Sequence, residues 1–313
     1  MGKIFKNNKN QVRAGWEILF VMVSYMFFSV VISAITGMIS VIFIAKNVPI
    51  EQIPNTINNF MQANPLGILL TQVMDFIALI IVLTITIKAI NKKKFSDFGF
   101  ASIRKNYKNL LLGLLLGAIS MTIIFFILLF TKNIKLEGSL GKPKFSSYTF
   151  YGLILFIIVG IKEELLSRGY CITLLNNHMK KPWLSIIISS IIFSAMHFFN
   201  PNVKILGLFN IVLVGILFGY MFVKTKNLWM PIGYHITWNY FQGNIFGFPV
   251  SGTDPHGIYT IKEVNDNILT GGAFGPEAGI ITTIIIITGM IVVYKFSDIK
   301  EMPATNYVPL EKL

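Results

Sequence analysis

Eight apolar runs constrain what this chain can fold into more than any other feature. They are Trp16–Ala45, Leu66–Ile90, Leu110–Phe130, Tyr148–Leu175, Trp183–Phe199, Ile205–Val223, Leu228–Phe246 and Ala278–Tyr294. A helix needs about 20 mostly apolar residues to cross a bilayer. Inside lipid each segment must satisfy its own backbone hydrogen bonds, which selects helices. The sequence therefore predicts an all-α fold: a polytopic membrane helical bundle of about eight transmembrane helices, with any active site inside the bundle. Composition agrees. Only 13% of residues are charged and mean hydropathy is +0.66, against about 25% charged in soluble domains. The first run follows Lys3, Lys6, Lys9 and Arg13, as a signal peptide would. It exceeds the roughly 7–15 residues of a signal h-region and reads as a retained helix.

The net charge of +13 has two readings, nucleic acid or membrane sidedness. No basic stripe interleaves with exposed aromatics as base stacking requires, so no nucleic-acid partner is expected. Eight crossings that start inside put both termini in the cytoplasm. Lys92, Lys93, Lys94, Arg104, Lys105, Lys108, Lys180, Lys181, Lys224 and Lys226 then join the basic termini there, against Lys46, Lys132, Lys135, Lys142, Lys144, Lys204 and Lys262 outside. This asymmetry follows the positive-inside rule. The basic stretch Lys92–Lys108, with Phe95, Phe98 and Phe100, fits either a segment on the inner leaflet or a solvated loop.

The organisation read from these runs has four parts. Residues 1–14 are a basic cytoplasmic N-terminus. Residues 15–147 hold the first three helices with the basic loop 91–108. Residues 148–246 form a core of helices four to seven. Residues 247–313 comprise an outer loop, the last helix and a cytoplasmic tail. The loop Gly247–Gly279 is polar, rich in Gly and Pro, and reads as structured. Its Gly-rich segment lacks the Lys-Ser/Thr ending of a phosphate-binding loop. The lone Cys171 excludes a disulfide framework and reads as a small buried apolar residue.

Ionisable groups at membrane depth cost on the order of 2.5–3.5 kcal/mol each, so they mark where chemistry is sought. The fourth run holds Lys162, Glu163, Glu164 and Arg168. Glu164 and Arg168, four apart, share a helix face and can pair. Glu163 is turned about 100° away and stays free to act as a general base. Phe193 and His197 are four apart in the fifth run, as are His235 and Asn239 in the seventh. A neutral imidazole can activate water, stabilise an oxyanion or bind a metal, and a carboxamide can donate to an oxyanion. A carboxylate, two histidines and an amide on three apolar helices make a candidate hydrolytic constellation. Each also has a structural reading: a satisfied histidine, an ion pair, or an amide joining helices. Asp75 reads as a hydrogen-bonded packing residue outside the site. The sequence has neither an H-E-x-x-H helix nor a G-x-S-x-G elbow.

The order Glu163-Glu164-x-x-x-Arg168, Phe193-x-x-x-His197, His235-x-x-x-Asn239 resembles the CAAX-protease and bacteriocin-processing (CPBP, or ABI) family, which includes the Ras-converting CAAX endopeptidases. The resemblance covers about Tyr148–Phe246, and the loop Thr270–Gly279 resembles that of a bacterial subset. It implies an α-helical intramembrane endopeptidase acting on a peptide or membrane-protein substrate. Glu163 and His197 would activate water, and His235 and Asn239 would stabilise the oxyanion. Glu164 and Arg168, with Phe193, would support them. A mechanism without a cofactor is favoured, although Glu163, His197 and His235 also form a donor set that zinc accepts. The Lys-, Ile- and Asn-rich chain suggests a bacterial cell membrane, which disfavours prenylated substrates. Two other classes stay open: a proton-coupled transporter, and a non-catalytic immunity or scaffold protein of the same fold.

Overall fold

Apolar runs bounded by prolines, asparagines and basic residues become helices throughout the computed structural model, which describes residues 5, 12–44, 48–264 and 266–296. Lys3, Lys6, Lys9, Lys46 and the tail 297–313 lie outside the described residues. Two units are distinguished, Met1–Lys94 and Phe95–Leu313.

The first unit holds α1 (Ala14–Ile44), α2 (Ile53–Ala63) and α3 (Pro65–Ile85), which continues as a π-helical turn, Thr86–Ile90. Asn64 starts α3: its Oδ1 accepts the Leu66 and Gly67 amides, with Pro65 in the first turn, a standard N-terminal arrangement. Asp75 accepts hydrogen bonds from Tyr25 Oη and Ser29 Oγ, both at 2.6 Å. These bonds join α1 to α3 and agree with a packing role.

The second unit holds α4 (Ile103–Phe130), β1 (Ile134–Glu137), α5 (Ser147–Glu164), α6 (Thr173–Met179), α7 (Pro182–Ala195), α8 (Ile205–Thr225), α9 (Trp229–Tyr240), β2 (Thr260–Glu263) and α10 (Ile280–Phe296). Close approach of α4 and α9 positions the site. A Cβ at Gly113 or Gly117 would overlap the carbonyl oxygen of Met230 or Tyr234, and one at Gly233 would meet the backbone of Leu110 and Leu114. Small residues at such crossings let backbones touch where lipid supplies no hydrophobic drive. Tyr234 Oη donates to Ser120 at 2.8 Å and Thr237 Oγ1 to the Leu114 carbonyl at 2.7 Å. Helix α8 packs on α7 in the same manner, Gly215 against Ser190 and Gly219 against Ile186.

Each of the eight apolar runs is mostly helical over its described residues, and the chain is an all-α membrane bundle. Among the described residues, four helical segments are long and apolar enough to cross a membrane: Ala14–Ile39, Pro65–Ile90, Phe95–Phe130 and Ile205–Thr225. The others fall short for visible reasons. Helix α5 carries the buried charges, while α7 and α10 span 14 and 17 residues. Three features escape the sequence reading: the short helix α2, the antiparallel pair β1–β2 in register Ile134↔Glu263, and helical widening within three runs. Phe98 is buried and stacked on Tyr170 at 5.5 Å. It is a core residue, not a leaflet anchor.

Candidate active site

Helix α5 is regular up to Glu164 and then widens into a π-helix, Leu165–Ile172. A second π-helical turn, Phe241–Ile245, begins two residues after Asn239. Such turns are rare and often accompany functional sites. No propensity signal marks them, so hydrophobic periodicity reads both runs as plain α-helix.

The expected pair forms. Arg168 Nη1 donates to Glu164 Oε1 at 2.9 Å, with both side chains buried. The Arg168 guanidinium lies 4.2 Å from the centre of the Phe193 ring and 5.2 Å from that of Phe218, a desolvated cation held between two aromatic faces. Phe193 thus stands under Arg168 and edge-on to His197, 4.8 Å between ring centres. Phe218 on α8 also touches His235, at 5.6 Å. The sequence reading does not single it out, because it sits in an otherwise uniform apolar run.

Glu164 also meets His235, whose Nδ1 lies 2.9 Å from Glu164 Oε1. A carboxylate only accepts, so Nδ1 carries the proton and Nε2 faces the site. His197 lies just past the end of α7, and its Nδ1 is 2.9 Å from the Phe193 carbonyl oxygen. That acceptor likewise puts the proton on Nδ1. The two Nε2 atoms converge on Glu163 Oε2, His235 at 3.8 Å and His197 at 4.0 Å. Both separations exceed a direct hydrogen bond and leave the spacing that a single water about 2.8 Å from each atom would bridge. Glu163, Glu164, Arg168, Phe193, His197 and His235 are therefore brought together. Asn239 is buried one helical turn beyond His235.

A further wall of the site comes from beyond the helices. Gln242 is fully buried, and its amide nitrogen reaches the Pro249 carbonyl at 2.6 Å. Glu277, 8% exposed, accepts from Ser251 N at 2.7 Å and Ser251 Oγ at 2.9 Å. Gln242 and His197 lie close enough to act electrostatically on its carboxyl. Burial pushes the Glu277 carboxyl above its ordinary value, opposed by these hydrogen bonds and by His197. Sequence reasoning missed both residues. The signal for Gln242 was its spacing, seven residues after His235 and three after Asn239, which keeps it on the same face.

The donor set Glu163, His197 and His235 suits zinc in kind. Zinc–ligand bonds of about 2.0–2.2 Å place tetrahedral donors about 3.3–3.5 Å apart, closer than the separations here. Among the described residues no three His, Cys, Asp or Glu side chains are gathered to hold an ion. The residues as arranged do not fit a metal centre, and no step is derived through one.

The helices thus hold a carboxylate flanked by two imidazoles, each with its Nδ1 tied to an acceptor. Residues 145–241, just under a third of the chain, match the family model described as type II CAAX prenyl endopeptidase, Rce1-like. This stretch is similar to a family of CAAX prenyl endopeptidases. The match spans Glu163, Glu164, Arg168, Phe193, His197, His235 and Asn239. Comparison with curated proteins and with solved structures gives no match.

Proposed function

We propose that the protein is an intramembrane endopeptidase that cleaves a membrane-associated or C-terminal peptide by attack of an activated water. The observation that carries this reading is the convergence of His197 Nε2 and His235 Nε2 on Glu163 Oε2. A water between Glu163 and His197 gives its proton to that pair, and the hydroxide adds to the scissile carbonyl carbon. The oxyanion accepts from Asn239, while His235, its proton held on Nδ1 by Glu164, uses Nε2 to accept from the water and orient it. The proton held by Glu163 and His197 then passes to the leaving amine as the C–N bond breaks. Glu164 holds the His235 tautomer throughout, as the buried aspartate does in a Ser-His-Asp triad. This mechanism uses a glutamate and no metal.

The distribution of basic segments supports a multi-pass protein of a bacterial cell membrane with both termini in the cytoplasm. The test is cleavage in liposomes of a panel of quenched fluorescent peptides, some ending in a farnesylated Cys-aliphatic-aliphatic-X tail and others membrane-inserted and unprenylated. Glu163→Gln and His235→Ala should abolish cleavage while the protein stays folded. Unchanged cleavage in both variants, or no cleavage of any panel member by the wild type, overturns the reading.

A further inference from the structure

Outside the family match, the loop from Gly247 to Gly279 invests heavily in placing one acid. Gly271, Gly272 and Gly275 take φ of 77°, 63° and 106°, values that favour glycine. A Cβ at Gly275 would overlap the Pro249 carbonyl and crowd the Gln242 amide, so the segment is pressed against the site wall. Phe274 is fully buried with Phe193, Ile211 and Ala278, and therefore rests on α7, the helix that leads into His197. Asn210 of α8 clamps the other end, donating to the carbonyls of Glu277 at 2.7 Å and Gly279 at 3.0 Å. Gly252 N bonds the Phe274 carbonyl at 2.9 Å, and Asn200, three residues after His197, donates to the Ser251 carbonyl at 3.1 Å. The segment between these anchors is Pro276-Glu277-Ala278.

A loop that only closed the bundle would have no reason to bury a carboxylate, which costs several kcal/mol unless it is paired or put to use. Glu277 has two donors from Ser251 on one oxygen, with Gln242 and His197 within electrostatic reach. The charged groups around His197 are thus Glu163 from α5, Glu277 from this loop, and His235 from α9, with Arg168 and Glu164 behind Phe193 and His235.

We propose that Glu277 is a further residue of the hydrolytic site, a positioning carboxylate that acts through His197. The inference rests on the peptidase reading. During water attack the proton leaving the water is shared between Glu163 Oε2 and His197 Nε2. While it sits on His197 the ring is a cation, with Nδ1–H bonded to the Phe193 carbonyl and Glu277 as its second counter-charge. When the C–N bond breaks the proton moves to the leaving amine, so Glu277 begins and ends each turnover unchanged. Its contribution is realised only in the charged state, which places it in kcat and not in substrate binding.

The test uses the full-length protein in liposomes with whichever panel peptide is cut fastest. Glu277→Gln keeps the shape and removes the charge. It should lower kcat about 10- to 100-fold, the usual scale for a group supporting a reacting residue, with KM within about twofold. Glu277→Asp should recover part of the loss. Ser251→Ala, which removes only one hydrogen bond, should lower kcat a few-fold and keeps the proposal testable if Glu277→Gln fails to fold. A merely structural role predicts a lower unfolding temperature with unchanged kcat per folded molecule, or kcat and KM moving together. Either result overturns the inference, as does wild-type kcat in both Glu277→Asp and Ser251→Ala. If Glu163→Gln still cleaves, the peptidase reading fails first, so the two failures are distinguishable.

Discussion

Glu164 Oε1 lies 2.9 Å from His235 Nδ1 and 2.9 Å from Arg168 Nη1, so one oxygen joins the ion pair to the imidazole. Glu163, its neighbour in sequence, instead faces both Nε2 atoms. Adjacent glutamates thus do different work, because helical rotation points them about 100° apart.

Replacing Glu164 by Gln removes the acceptor-only partner that fixes the proton on Nδ1 of His235. The imidazole can then take the other tautomer and present Nε2–H to Glu163. We expect cleavage by the folded fraction to drop about 10- to 100-fold or more, with retained peptide binding. Wild-type turnover by purified, folded Glu164→Gln would remove the orienting role.

Arg168 is held by geometry that lysine cannot copy. Its guanidinium lies against both Phe193 and Phe218 while bonding Glu164. An ammonium is a point charge with a higher hydration cost and no planar face. Arg168→Lys should lose about 2 kcal/mol or more of stability, read as a lower unfolding temperature in detergent. A variant as stable as wild type would show that stacking contributes little.

The crossing of α4 and α9 leaves no room for a methyl group. Gly117→Ala would press a Cβ into the Tyr234 carbonyl and Thr237 Oγ1, one residue from His235. Overpacking of this kind costs about 1–3 kcal/mol, and the displaced helix should also carry His235 away from Glu163. Stability and kcat are expected to fall together, measured by thermal unfolding and peptide cleavage. A fall in stability alone would separate the crossing from the site.

How much of this was legible in the sequence follows from which signals are local. Apolar runs identify the membrane helices because the cost of lipid exposure acts residue by residue. Glu163, Glu164, Arg168, Phe193, His197 and His235 are visible because charges and imidazoles in apolar helices are expensive, and four-residue spacing puts them on shared faces. The π-helical turns at Leu165 and Phe241 are invisible, since they are set by packing and not by propensity. Gln242 is neutral and lies near the end of its run, and Phe218 is one aromatic among 27 phenylalanines. Glu277 is hidden for a different reason: it reaches the site from a polar loop where an acid is cheap in sequence terms. Only the anchors at Asn210 and Phe274 show that it is buried.

A glutamate mechanism without metal predicts that EDTA and 1,10-phenanthroline leave cleavage in liposomes unchanged, and that metal analysis finds no stoichiometric zinc in the active protein. Loss of activity restored by added zinc would overturn it and would require Glu163, His197 and His235 to close to ligand distance.

The last prediction concerns the clamp that holds the loop. Asn210 is buried in α8, donates to the Glu277 and Gly279 carbonyls, and accepts from Thr283 Oγ1 at 2.7 Å. It therefore ties the loop and the start of α10 to the bundle with a single side chain. Asn210→Ala leaves two carbonyls and a hydroxyl without that partner, at a cost of about 1–3 kcal/mol for each buried group left unpaired. Part of that cost can be relieved locally if the loop lifts toward water. The loss should therefore appear first as local opening, with protease cutting within 247–279 under conditions where the helices remain intact. Asn210→Asp keeps the size but has no N–H to offer and sets a carboxylate against the two carbonyls, so it should open the loop at least as readily. If the loop in both variants resists protease as the wild type does, Phe274 and the glycine turns hold it without the clamp. If it opens and kcat falls with it, the position of Glu277 depends on α8 as well as on its own loop.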